Sequence, residues 1–307
     1  MTMIRSRYEA MQQLMLDTLI AAVTLGKADH APVLEAVRNT LIDPALDAAF
    51  KAEAVLLPTE ALIGDQLAEV DPDRIAGVRE ALRTNIGATM IDEWRAAYAT
   101  HRANRFEYTP TAKGARRLRT VALGYIAASG AEDAPRLAFE QYSEADNMTD
   151  RQGALGVLAN GNAPEREEAL AAFYRRFRDD ALVLDKWFSV QALSMRADTP
   201  AAVQLLAQHP DFTIANPNRM RSLISAFAVN QRAFHDMAGG GYAFLTDMIL
   251  SIDPLNPQSA ARLVPALGRW RRFEPKRAAA MRQQLERVLD APGLSKDVTE
   301  QVSKSLN

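Results

Sequence analysis

Cysteine is absent from the 307 residues, which removes disulfide frameworks, cysteine zinc sites, iron–sulfur clusters and thiol nucleophiles together and is compatible with a reducing cytoplasm. Glycine and proline, fifteen of each, are too sparse for an all-β chain of this length, which would need many turns. No uninterrupted apolar run approaches the about 20 residues that cross a bilayer. The nearest candidate, residues 14–26, is short, carries Asp17 and lacks the small-residue cleavage pattern of a signal peptide, so it reads as a buried helix. An excess of one charge is also missing: 36 lysines and arginines face 38 acidic residues, and a net charge of -2 offers no general attraction to nucleic acid or to an anionic membrane. These absences predict a soluble cytoplasmic protein with neither of those partners.

What is present is apolar and helix-forming. Hydrophobic side chains make up 48 %, enough for a substantial core, and alanine, leucine, glutamate, arginine and glutamine recur throughout. A short polar residue followed by proline marks a helix start, because the side chain caps free amides and proline at the first helical position loses no hydrogen bond. Asp43-Pro44, Asp71-Pro72, Thr109-Pro110, Thr199-Pro200, Asn216-Pro217 and Asn256-Pro257 carry that mark. Between the marks, apolar residues recur at three and four, as in Ile75, Val78, Leu82, Ile86 and Met90, or Leu263, Ala266, Leu267 and Trp270. Residues 71–103 read as one long helix, or two abutting ones, interrupted only by Gly77 and Gly87.

Short helices without a heptad stripe predict antiparallel pairs stacked side by side. Asn216-Pro217 and Asn256-Pro257 lie forty residues apart with a helical segment, 242–252, between them, and about forty residues is the repeat of HEAT and armadillo arrays. The fold expected is therefore all-α: a HEAT/armadillo-like α-solenoid of antiparallel helix pairs in a curved superhelical domain. A single domain, 1–307, would hold irregular helices over 1–103 and repeat-like pairs over 110–307.

Sites for chemistry are few. None of His30, His101, His209 and His235 belongs to a His-Glu-x-x-His pair, so a zinc site within the chain is not expected, and scattered histidines of this kind are surface or capping residues. There is no nucleophile elbow, Walker loop or dinucleotide fingerprint. Gly239-Gly240-Gly241 reads as a flexible turn before a helix. Arg269, Arg271, Arg272, Lys276 and Arg277 surround Trp270 and Phe273 in the manner of a nucleic-acid site, but basic residues at a helix C-terminus complementing its dipole explain them better. The acidic pairs Asp92-Glu93, Glu167-Glu168 and Asp179-Asp180 read as solvated helix faces.

Arg221, Gln258 and Arg262 form the most informative set. With Asn216 and Asn256 as caps, Gln258 falls in the first turn of its helix and both arginines about one turn in. Two adjacent helix starts, free amides and two guanidinium groups would then suit a carboxylate. The alternative, that these arginines bond neighbouring loops or carbonyls, is open on pattern alone.

Two longer stretches carry a resemblance. His209-Pro-Asp-Phe-Thr-Ile-Ala-Asn-Pro-Asn-Arg-Met-Arg-Ser-Leu-Ile-Ser-Ala-Phe and Asn256-Pro-Gln-Ser-Ala-Ala-Arg-Leu-Val-Pro-Ala-Leu resemble the last domain of the bacterial aminopeptidase N group, within the M1 family of zinc aminopeptidases. Asn147-Met148-Thr149-Asp150, Asp185-Lys186-Trp187-Phe188, Phe234-His235, Gly241-Tyr242, Arg272-Phe273 and Lys276-Arg277 match in the same order. The likeness runs from about residue 70 to the C-terminus and is weaker before it.

That resemblance implies a helical C-terminal domain that sits against a catalytic domain of the same parent polypeptide and encloses the substrate chamber. The zinc, its His-Glu-x-x-His helix, the segment holding the substrate amine and the transition-state tyrosine would all lie upstream, so the chain has no catalytic residue and no cofactor of its own, and its catalysis in isolation is not expected. It would be an excised domain beginning at an artificial or alternative start, since the opening Met-Thr-Met matches less well than Arg7-Tyr8-Glu9-Ala10 onward. Arg221, Gln258 and Arg262 match family positions that line the inner face and contact peptide substrate beyond the scissile bond. Trp187, Phe188, Phe227, Tyr242 and Met148 match too and read as packing residues. The parent would remove alanine and other small or basic N-terminal residues in the cytoplasm. The rival reading is a stand-alone helical-repeat module that binds a protein or peptide on its concave face.

Overall fold

The computed structural model describes residues 2–103 and 105–307; Met1, on which the expectation about the start rests, and Asn104 lie outside them. Among the described residues every regular element is helical, and the only extended pairing is a parallel bridge between Val70 and Phe273. The chain divides into two compact units, Met1–Leu67 with Asp73–Leu170, and Ala68–Pro72 with Ala171–Asn307.

The first unit runs through α1 (Thr2–Leu25), α2 (Ala31–Ile42), α3 (Ala48–Ala54), α4 (Glu60–Asp65), α5 (Pro72–Thr89), α6 (Ile91–Thr100), α7 (Pro110–Ala128), α8 (Ala134–Glu144) and α9 (Met148–Ala159), into α10 (Pro164–Phe177). The apolar run near the N-terminus is the buried face of α1, where Met15 and Leu19 are 0 % and 1 % exposed. Over 71–103 there are two helices, and the break falls at Met90 rather than at a glycine. Gly87 is helical and lets α7 lie close against it: a Cβ there would come within 2.4 Å of the Tyr125 carbonyl oxygen. Ile75, Leu82, Ile86 and Met90 are buried as the spacing requires, Val78 is only half-buried, and the Trp94 indole NH spans the break to the Ile86 carbonyl at 3.2 Å.

The second unit contains α11 (Ala181–Ala192), α12 (Thr199–Leu206), α13 (Pro217–Met220), a π-helical turn (Arg221–Ser225), α14 (Ala226–Val229), α15 (Gln231–Phe234), α16 (Gly241–Ile252), α17 (Pro257–Ala261), α18 (Pro265–Gly268), a 3-10 turn (Trp270–Arg272), α19 (Pro275–Leu289) and α20 (Lys296–Leu306). Segment 68–72 is tied in by backbone bonds, Val70 N to Arg272 O at 2.7 Å and Glu274 N to Val70 O at 3.1 Å. Trp187, Phe188, Phe227 and Tyr242 are core residues.

Most of the polar–proline marks open helices, with Thr109, Asn216 and Asn256 accepting amide bonds as caps. Asp43-Pro44 does not. Asp43 accepts Ala45 N at 2.9 Å in a turn, and the next helix waits for Asp47, which caps Phe50 N at 2.7 Å. At Thr199-Pro200 the helix already includes Thr199, whose hydroxyl donates to the Ser194 carbonyl at 3.0 Å. The helix read through Leu263, Ala266, Leu267 and Trp270 is interrupted, because Pro265 has no amide to continue α17. The triple glycine forms the turn into α16: Gly240 has φ +66°, and a Cβ on Gly241 would sit 2.4 Å from the Phe234 carbonyl oxygen.

Candidate functional site

Arg221, Gln258 and Arg262 all lie in the second unit, and all three are exposed. Asn216 Oδ1 accepts from the amides of Asn218, at 2.9 Å, and Arg219, at 3.3 Å. Asn256 Oδ1 accepts from the Ser259 amide at 3.0 Å. The caps therefore occupy amides that a ligand would need, and helices of four and five residues carry little dipole. What these two helix starts present to solvent is side-chain charge rather than free backbone.

The structure holds Gln258 and Arg262 together through α17, with Arg262 N bonded to the Gln258 carbonyl at 3.2 Å. Arg221 is positioned separately, at the first residue of the π turn, where its guanidinium donates to Asn218 Oδ1. Among the principal packing partners, α13 rests on α11 and the π turn, and α17 on α16 and α20.

Arg219, two residues from Arg221, has the opposite fate. It is buried, pairs with Asp185, donates to the Asp211 carbonyl and lies 5.1 Å over the Phe188 ring. Asp211 also accepts the Tyr174 hydroxyl at 2.5 Å, and that hydrogen bond, with burial second, raises the phenol above its ordinary range. Sequence reasoning missed this network. Its signal is the alternation Arg219-Met220-Arg221, which puts one arginine inward and one outward only once the helix phase around Phe188 is known.

Each histidine has its own local contact. His30 Nδ1 lies 3.0 Å from Asn85 Nδ2, His101 Nδ1 2.8 Å from the Ala97 carbonyl, and His235 Nδ1 2.8 Å from the Tyr242 hydroxyl, while His209 Nδ1 accepts from the Asp211 amide at 3.1 Å. Among the described residues no three metal-ligating side chains converge, so these residues do not fit a zinc site. The basic cluster also resolves into local contacts. Arg271 donates to the Ser305 and Leu306 carbonyls at 3.3 and 2.7 Å, complementing the C-terminus of α20 rather than of its own helix, and it lies 4.2 Å over the Trp270 ring. Arg277 donates to the His235 carbonyl at 2.7 Å and pairs with Glu274 at 3.1 Å. No helix among the described residues is long and apolar enough to cross a membrane.

The regular elements of the described residues are all helices, which defines the class, and the comparisons define the family. Residues 5–307 match the model described as "Domain of unknown function (DUF3458_C) ARM repeats", and the chain belongs to that family. It is similar to aminopeptidase N of Caulobacter vibrioides, 40 % identical over 307 residues, and of Escherichia coli, 37 % identical over 309; each match covers 98 % of this chain and 35 % of the relative. The chain thus spans about a third of the length of these relatives, and the match is to the C-terminal domain of aminopeptidase N. A crystal structure of Legionella pneumophila aminopeptidase A in complex with aspartic acid superposes with a TM-score of 0.89 at 26 % identity, over 99 % of this chain and 37 % of that one.

Proposed function

We propose that the chain is the noncatalytic C-terminal domain of a zinc-dependent M1 aminopeptidase working in the cytoplasm. In this reading it encloses the substrate chamber and contacts the peptide, while a catalytic domain of the same polypeptide removes the N-terminal residue. The observation that carries the reading is the match of nearly the whole chain to about a third of aminopeptidase N.

The contribution of this domain would be enclosure and positioning. In the family, zinc supplies a polarised water for peptide hydrolysis. Here Arg221 and Arg262 each present an exposed guanidinium beside a capped helix start, a geometry suited to a carboxylate on the far side of the scissile bond, with Gln258 as a neutral hydrogen-bonding neighbour.

The test replaces the matching third of Caulobacter vibrioides aminopeptidase N with this chain. The chimera is expected to hydrolyse an alanyl anilide, whereas the same enzyme truncated before that third is expected to lose most turnover. A truncated enzyme as active as the chimera would contradict the reading.

A further inference from the structure

A pocket of about 340 Å³ opens in the first unit between α1, α2 and α3. Helix phase builds its walls. Arg7, Met11 and Leu14, spaced by four and three residues, stand on one face of α1, while Asn39 and Thr40 come from the last turn of α2. Phe50 on α3 and Leu46 in the connection before it close the far side. Met11 is buried, and Leu14, Leu46 and Phe50 are half-buried, so the wall is apolar where it is deepest.

Among the residues that line the pocket, only Arg7 and Asp43 are charged, and they face each other across it. Arg7 Nη1 donates to Asp43 Oδ2 at 3.0 Å, with 53 % and 27 % of the two side chains open to solvent. Asp43 Oδ1 accepts the Ala45 amide at 2.9 Å. That bond first, and Arg7 after it, hold the Asp43 carboxyl below the ordinary carboxylate range, so at neutral pH the pocket presents one charge of each sign. Ion pairs this exposed hold weakly, and a ligand can part them at little cost.

The volume lies near the lower end of the about 300–1,000 Å³ of small-molecule sites and is more than twice the about 150 Å³ that encloses a benzene. It suits one apolar side chain with a small polar head. A simple anion would answer Arg7 but face Asp43, and a simple cation would do the reverse. An α-amino acid answers both, because its ammonium nitrogen and carboxyl carbon are two bonds and about 2.5 Å apart, a match in scale to the Arg7–Asp43 pair. We propose that this pocket binds a free α-amino acid with an apolar side chain, its carboxylate on Arg7, its ammonium on Asp43 and its side chain against Met11, Leu14, Leu46 and Phe50. Asn39 and Thr40 supply neutral hydrogen-bonding groups beside the head.

Titration calorimetry of the full chain with L-phenylalanine tests this, beside three stripped analogues: 3-phenylpropionate without the ammonium, 2-phenylethylamine without the carboxylate, and glycine without the side chain. Phenylalanine is expected to bind at millimolar concentration or below, and each analogue to bind about tenfold or more weakly than it. Arg7→Gln should weaken phenylalanine by a similar factor, and Ala10→Trp, which places an indole at the pocket wall, should abolish binding. Both positions are exposed on α1, so the thermal melts of these variants should match the parent. No binding of phenylalanine, equal affinity for phenylpropionate, or binding unchanged in both variants would each overturn the proposal.

Discussion

The Tyr125 ring stacks on the Trp94 indole with centroids 4.3 Å apart and planes 15° from parallel, and its hydroxyl donates to the Val55 carbonyl at 2.6 Å. One side chain thus joins α7 to α6 and to the end of α3 inside the first unit. Burial pushes the Tyr125 phenol up from 10.0 to about 12, because the phenolate would be formed away from water.

This shift gives an alkaline stability signature. The folded pKa lies above the unfolded one, so below pH about 10 both states keep the proton and the stabilisation is fully present. Between about 10 and 12 the unfolded state loses its proton while the folded state retains it, and unfolding free energy falls by about 1.4 kcal/mol per pH unit. Tyr125→Phe should remove this segment of the pH dependence. At neutral pH it should cost about 1–3 kcal/mol, since the buried Val55 carbonyl loses its donor. Urea unfolding of both proteins across pH 7 to 12 measures the two effects together, and parallel pH profiles would contradict the assignment.

Two glycines of α5 should respond to alanine with opposite signs. Gly77 has nothing within 4 Å of an added Cβ, so Gly77→Ala should stabilise by about 0.5–1 kcal/mol through helix propensity. Gly87 meets the Tyr125 carbonyl and the Ser129 amide at 2.4 and 3.0 Å, backbone atoms that cannot swing aside. There the propensity gain should be outweighed, for a net loss of up to about 3 kcal/mol. Thermal melts of the two variants beside the parent decide it; equal shifts would mean that α5 and α7 are not in this contact.

The sequence made the helices legible because caps and apolar spacing are local. Asn216, Asn256 and Thr109 stand where their oxygen atoms are needed, and Ile75, Leu82, Ile86 and Met90 fall on one buried face. What was not legible depended on neighbours distant in the chain. The close approach of α7 to Gly87 and the break three residues later at Met90 are set by a helix far along the chain or leave no mark in the spacing, and the carbonyl partners of Arg271 lie more than thirty residues on. At the candidate site Arg221, Gln258 and Arg262 are exposed, and both arginines stand just past the ends of α13 and α17 where the spacing had placed them inside longer helices. The occupation of the nearby amides by the caps was implicit in the same Asn-Pro pairs that drew attention to the site.

If the two exposed arginines read a carboxylate, their removal should be selective. In the chimeric aminopeptidase, Arg221→Ala with Arg262→Ala should lower kcat/KM for a dipeptide or tripeptide with a free C-terminal carboxylate by about tenfold or more, from the loss of charge-assisted hydrogen bonds. The corresponding amides should change far less. Equal losses on acids and amides would remove the carboxylate role while leaving the domain assignment intact.

The central claim is that the chemistry lies outside this chain, and hydrolysis of an alanyl anilide tests it most directly. The purified chain with added zinc should show no turnover above buffer, and mixing it with the separately expressed remainder of an aminopeptidase N should restore turnover. Activity from the chain alone, surviving repurification away from host peptidases, would contradict the account and place a catalytic centre within these 307 residues.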